Sequence, residues 1–175
     1  MVEMILGLTL LYVGAVLFVN GIWLLGKVGD KEVSVINILV GVLSFFIAIY
    51  LIFREPNNSA AISAGAFTLL FAFTYLWVGA NQFLKADGIG LGWFCFFVSI
   101  TAAFVGINSI EDIGLNFELW NTLSWFAWSA LWFGFFCLLA LAKKIQRSVA
   151  IYTLFCAVFT GWIPGVMILL GIITT

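Results

Sequence analysis

Six stretches of this 175-residue chain contain no charged side chain: Met4–Gly26, Val33–Phe53, Pro56–Leu84, Gly88–Ile110, Leu119–Ala142 and Ser148–Thr175. A helix crosses the hydrocarbon core of a bilayer with roughly 20 apolar residues at about 1.5 Å each, and every stretch is long enough. The 7 Lys and Arg and 8 Asp and Glu fall between the stretches or at the extreme N-terminus, in a chain that is 65% hydrophobic. This segregation predicts an all-α polytopic membrane protein with spans at about 4–26, 33–53, 60–84, 88–110, 119–142 and 149–173. Ion pumps and proton-coupled carriers place ionisable groups inside the membrane. A chain with none there is expected to pass a solute without net charge.

Six spans and their turns use nearly all of residues 1–175, which therefore read as a single transmembrane domain. No soluble domain of catalytic size is left, so the chain is expected not to be an enzyme. It has no basic patch for nucleic acid. Cys95, Cys137 and Cys156 all lie within expected spans and read as small buried hydrophobes rather than a disulfide framework. Histidine is absent, which removes imidazole-bound haem and the side chain that titrates near neutral pH. No Cys, His and carboxylate cluster has metal-ligand spacing, so neither metal nor cofactor is expected. The first span follows Glu3 rather than a basic segment, and its 23 uncharged residues exceed the apolar core of a cleavable signal, about 7–15 residues.

The cations sort by loop. Lys27, Lys31, Lys85, Lys143, Lys144 and Arg147 occupy the first, third and fifth loops, and only Arg54 lies on the other side. The positive-inside rule then makes the odd loops cytoplasmic and puts both termini outside, with Glu3, Glu55, Glu111, Asp112 and Glu118 facing outward. Lys27, Lys85 and Lys143 stand 58 residues apart, each at a cytoplasmic turn. Three consecutive hairpins around an axis would produce this spacing, and so would six similar spans with no repeat at all. Pro56 marks a tight outer turn. The sequon Asn57–Asn58–Ser59 and the alternation Gly88, Gly90, Gly92 have commonplace readings, a chance match and a glycine-eased turn.

Trp23, Trp93 and Trp120 lie near span ends, where aromatic belts form. The fifth span is different. Trp125, Trp128 and Trp132 recur on one helical face over two turns, with Asn121 beside them. In the third span Phe71, Thr74, Tyr75 and Val78 share a stripe, and in the first Leu10, Val13, Leu17 and Asn20 do. Around one axis these faces would make a narrow aromatic and aliphatic slot with a few hydrogen-bonding edges. Such a slot suits a small, planar, neutral, polar solute, with indole N–H groups and the Tyr75 hydroxyl replacing some of its water. Hydrated ions would meet an uncompensated desolvation cost. The alternative is that the tryptophans form a packing ridge between helices.

The run from Leu6-Gly-Leu-Thr-Leu-Leu-Tyr-Val-Gly to Asn20-Gly21 resembles the AmiS/UreI family of urea and short-chain amide channels. So do Phe71-Ala-Phe-Thr-Tyr-Leu-Trp to Asn81, Trp125-Phe-Ala-Trp-Ser-Ala-Leu-Trp132 and Thr160-Gly-Trp-Ile-Pro164. The resemblance covers essentially the whole chain. It implies six spans built as three hairpins in a bacterial inner membrane, termini outside, with a pore in each protomer of a homo-hexamer. It implies pore-lining roles for Leu10, Val13 and Leu17, for Phe71 and Tyr75, and for Trp125, Trp128, Leu131 and Trp132. Leu131 lies about 60° or more off the tryptophan stripe and is carried by resemblance alone. The chain departs from acid-gated members in two ways: it has no histidine and only a short outer loop, and Cys156 stands where they carry a carboxylate in the last helix.

The resulting expectation is a passive channel for urea or small aliphatic amides that is not acid-gated, with the solute and the lipid bilayer as its partners. Two other classes stay open, a structural or accessory membrane subunit that moves nothing, and an ion-coupled amide carrier. The absence of intramembrane carboxylates and of obviously broken spans weighs against the carrier, although Pro164 can kink the sixth span.

Overall fold

The computed structural model describes residues 2–110 and 117–173. Glu111 and Asp112, expected on the outer face, lie outside the described residues. The protein is all helical: α1 (Val2–Leu24), α2 (Asp30–Arg54), α3 (Ser59–Leu84), α4 (Ile89–Asn108), α5 (Phe117–Leu139), α6 (Gln146–Cys156), a π-helical turn (Ala157–Trp162) and α7 (Ile163–Leu169). Among the described residues six helices are long and apolar enough to cross a membrane, the sixth running from Gln146 through the π-turn to Leu169. The chain is a multi-pass membrane protein.

The helices form two compact units. One holds α2 and α3, which pack antiparallel: Gly41 lies against Leu76, Gly79 against Ile38, and Gly65 against Ile52 and the Ala48 carbonyl. Of the four residues between these helices, Glu55 and Asn58 tie the turn down through their side chains. Asn58 Oδ1 accepts from the Ala60 and Ala61 amides at 3.1 and 3.2 Å, capping α3, while its Nδ2 donates to Glu55 at 2.7 Å. Glu55 in turn pairs with Arg54, whose guanidinium lies 5.7 Å from the centre of the Tyr50 ring.

The other unit holds α1 and α4 to α7. In it α4 pairs with α5, and α1 runs antiparallel to the whole sixth span. Ser99 and Ser129 each donate to the other's carbonyl, at 2.9 and 2.8 Å, and Gly92 abuts Ala140. Along α1, Gly7 meets Ile168, Gly14 meets the backbone at Gly161 and Trp162, and Gly21 meets Leu154. Gln146 Nε2 donates to the Leu24 carbonyl at 2.8 Å and closes the far end of the pair.

The seams share a pattern that the lysine spacing only hinted at. Gly7, Gly14 and Gly21 of α1 recur 58 residues later as Gly65, Ala72 and Gly79 of α3, all buried. Ser34, Gly41 and Ala48 of α2 recur 58 residues later as Gly92, Ser99 and Gly106 of α4, again all buried. In lipid, apolar side chains gain little by leaving the tails, so helix association relies on close backbone approach and van der Waals contact. A small residue every seventh position keeps one seam open along a straight pair.

Candidate functional site

The sixth span does not run as one regular α-helix. Pro164 has no N–H and its ring crowds the carbonyl one turn back, and the preceding turn relaxes into a π-register to make room. In that register the Ile163 amide donates to the Val158 carbonyl, five residues back. The Phe159 carbonyl would then look to residue 164, where proline has nothing to give. Trp120 of α5 serves it instead, its indole Nε1 donating to Phe159 O at 3.0 Å. The turn thereby orders an indole that the sequence placed in the interfacial belt.

About two turns further along α5 a second indole is fixed by the same segment. Trp128 Nε1 donates to Thr160 Oγ1 at 2.8 Å, and Thr160 donates its own hydroxyl proton to the Cys156 carbonyl at 2.6 Å. Both bonds are buried. Thr160 has one proton and it is committed, so the oxygen faces Trp128 as an acceptor. Trp125 meets Trp128 edge to face, ring centres 5.1 Å apart and planes at 84°. At Trp128, then, the indole hydrogen is held by Thr160.

Of the expected site residues on α5, Trp128, Leu131 and Trp132 are each 5% exposed, and Trp125 is half-buried. Leu131 is thus as buried as Trp128 and Trp132 despite lying off their stripe. On α1, Leu10, Val13 and Leu17 are all buried, with Asn20 buried beside them. α1 is locked to the π-turn at the level of these residues. A Cβ on Gly161 would lie 2.6 Å from the Gly14 Cα and 3.1 Å from the Leu10 carbonyl oxygen. Within this unit, then, the site faces of α1 and α5 are both registered on residues 157–162. In the other unit Phe71 and Tyr75 are buried on α3 with ring centres 6.4 Å apart, and Thr74 between them donates to the Leu70 carbonyl at 2.7 Å.

No charged side chain is buried among the described residues. Ser124, one turn before Trp128, is 2% exposed, and among the described residues its hydroxyl is the buried side-chain polar atom without a hydrogen-bond partner. A groove of about 280 Å³ lies elsewhere on the same unit, lined by Leu11, Phe18, Val19 and Trp162 among others, and includes none of the expected site residues. Phe18 and Trp162 are half-exposed, which makes it a surface feature. Sequence reasoning missed Thr160 as Trp128's partner and Gly14–Gly161 as the anchor. Pro164 was the only signal for the turn that joins them.

Residues 5–172 match the model of the AmiS/UreI family, described as a family transporter. A putative transporter protein AmiS2 of Rhodococcus erythropolis is 35% identical over 163 residues, covering 93% of this chain and 78% of that protein. An amidate-substrate transporter described as putative from Mycolicibacterium smegmatis is 34% identical, covering 94% and 76%. The acid-activated urea channel of Helicobacter pylori strain 26695 is 31% identical over 185 aligned positions, covering 91% and 95%. The crystal structure of the H. pylori urea channel superposes with a TM-score of 0.86 at 30% identity, covering 97% of this chain and 99% of that one. Its cryo-EM structure in the closed state gives the same TM-score. With a family match across nearly its whole length and a fold to agree, the chain belongs to the AmiS/UreI family.

Proposed function

We propose that this protein is a passive channel that lets urea and short-chain aliphatic amides cross a bacterial inner membrane, and that it is not acid-gated. The observation carrying this is an aromatic stripe on α5, uncharged and largely buried, in a chain whose fold matches a urea channel over 97% of its length. Flat rings can sandwich an amide plane, while the absence of buried charge leaves a permeating ion uncompensated. Leu10, Val13, Leu17, Phe71, Tyr75, Trp125, Trp128, Leu131 and Trp132 are the pore-lining set in this reading. Residues 1–175 act as one channel domain, in a homo-hexamer with a pore in each protomer. Both termini face outward. The ungated character rests on the lack of histidine, on Cys156 in the last span and on the four-residue outer loop between α2 and α3.

Stopped-flow swelling of proteoliposomes in urea, formamide and acetamide gradients tests the reading. Flux well above that of protein-free liposomes is expected, with Trp128→Ala and Trp132→Ala leaking larger amides or water and losing preference for urea-sized solutes. Wild-type flux at the protein-free level would leave an accessory subunit as the answer. An ion-coupled carrier has the interrupted sixth span in its favour. Solute accumulation driven by a proton or sodium gradient would select it.

A further inference from the structure

We infer that Thr160 is a positioning residue that sets the ring plane of Trp128 and, through it, the solute selectivity of the channel; this rests on the channel reading above. Trp128 offers one polar atom, its N–H, and in a dry interior that hydrogen takes a partner wherever one is available. The partner is a hydroxyl whose own proton is fixed on the Cys156 carbonyl, so the bond has one direction and one geometry. Threonine's branched Cβ further restricts its rotamer within a helix.

The hydroxyl is itself held in place from the far side. Gly161, the next residue, packs backbone to backbone on Gly14 of α1, and the π-turn sets the direction in which residue 160 points. A regular α-helix with one residue fewer would rotate everything beyond the turn by about 100°. Ring orientation at Trp128 also propagates to Trp125, whose ring meets it edge to face. The chain of contacts Gly14, Gly161, Thr160, Trp128, Trp125 therefore runs from α1 to the aromatic stripe without a flexible link.

Thr160→Val keeps the shape and removes the hydroxyl, leaving the indole hydrogen to turn toward another acceptor. Thr160→Ser keeps the hydroxyl. The test is full-length protein in proteoliposomes, read as the ratio of urea to acetamide flux. For the loss of one hydrogen bond we expect Thr160→Val to change that ratio roughly three- to ten-fold. Thr160→Ser should hold the wild-type ratio. In a Trp128→Phe background, which lacks the N–H, adding Thr160→Val should have no further effect on the ratio. A general packing role for Thr160 would not show that dependence.

A second readout is the indole N–H resonance that Trp128→Phe removes, which should move in Thr160→Val and stay in Thr160→Ser. Should the valine variant fail to assemble, Thr160→Ala replaces it in both measurements. A wild-type flux ratio in Thr160→Val, or an equal effect with and without the Trp128 indole, overturns the selectivity role. An unmoved indole resonance overturns the positioning itself. Wild-type protein that conducts nothing overturns the channel reading and the selectivity role together, while the resonance still reports separately on the bond.

Discussion

The indole nitrogen of Trp120 donates across 3.0 Å to the carbonyl of Phe159, the acceptor that Pro164 leaves unserved in the π-turn. Proline and tryptophan thus form a compensating pair on neighbouring spans, 44 positions apart in sequence. Trp120→Phe is expected to cost about 1 kcal/mol, the net value of a hydrogen bond with a partly accessible partner. Pro164→Ala restores a backbone N–H at residue 164, so the same tryptophan change should cost less in that background. Thermal unfolding of the two single variants and the double variant in detergent measures the coupling. Additive losses would show that the two residues act independently.

The Gly14–Gly161 contact leaves no room for side chains. A Cβ at Gly14 would lie 2.5 Å from the Trp162 amide nitrogen, and one at Gly161 would lie 2.6 Å from the Gly14 Cα. Because both clashes are with backbone, Gly161→Ala is expected to destabilise by about 3 kcal/mol or more, at the upper end for overpacking. Gly134→Ala is the control. Its Cβ would sit 3.4 Å from a Val149 methyl, an ordinary contact, and helix propensity should favour it by up to about 1 kcal/mol. The yield of folded, detergent-extracted protein and its melting temperature separate the two.

Ser124 carries a hydroxyl in a dry environment where most of its kind are bonded. Removing it with Ser124→Ala should stabilise the fold by about 1 kcal/mol, since an unsatisfied buried polar group costs that much or more. Unfolding in the absence of solute is the measurement. A lower melting temperature would mean that the hydroxyl has a bonding role in the membrane.

Solute flux should be nearly flat from about pH 5 to pH 8. A histidine gate works by gaining charge as pH falls through about 6, and this chain has no histidine. Acidifying only the outer face of the liposomes and recording urea flux gives the result. A several-fold rise would reveal a gate built from other groups, with Glu55 the first to substitute.

The orientation is checked by labelling. With Cys137 replaced by serine, Asn58→Cys and Lys143→Cys should react with an impermeant thiol reagent from opposite faces. Equal reactivity from one face would overturn the N-out arrangement.

Charge segregation made six spans and their approximate ends legible, because excluding ions from lipid is the largest single energy a membrane segment must respect. The α5 stripe was legible for a related reason, as indoles at three- and four-residue steps can only share a face. The π-turn was not. One extra residue in a charge-free span changes neither hydropathy nor length, and Pro164 fitted an ordinary kink as well. Thr160 and Trp128 lie 32 residues apart on different spans, so nothing local couples them. The small-residue seams were present in the sequence all along at the lysine period. They escape a search for similarity because Gly, Ala and Ser alternate freely where only size matters.

Between α2 and α3 the chain has no slack. Four residues join Arg54 to Ser59, and the Asn58 side chain grips both Glu55 and the first turn of α3. Sliding one helix along the other by a turn means about 5.4 Å of travel, and a tether this short and this knotted has no spare length to release. It would have to let go of the α3 cap first. The bend between these two helices therefore works as a stop that holds their axial alignment, and is too short to reach out as a flap.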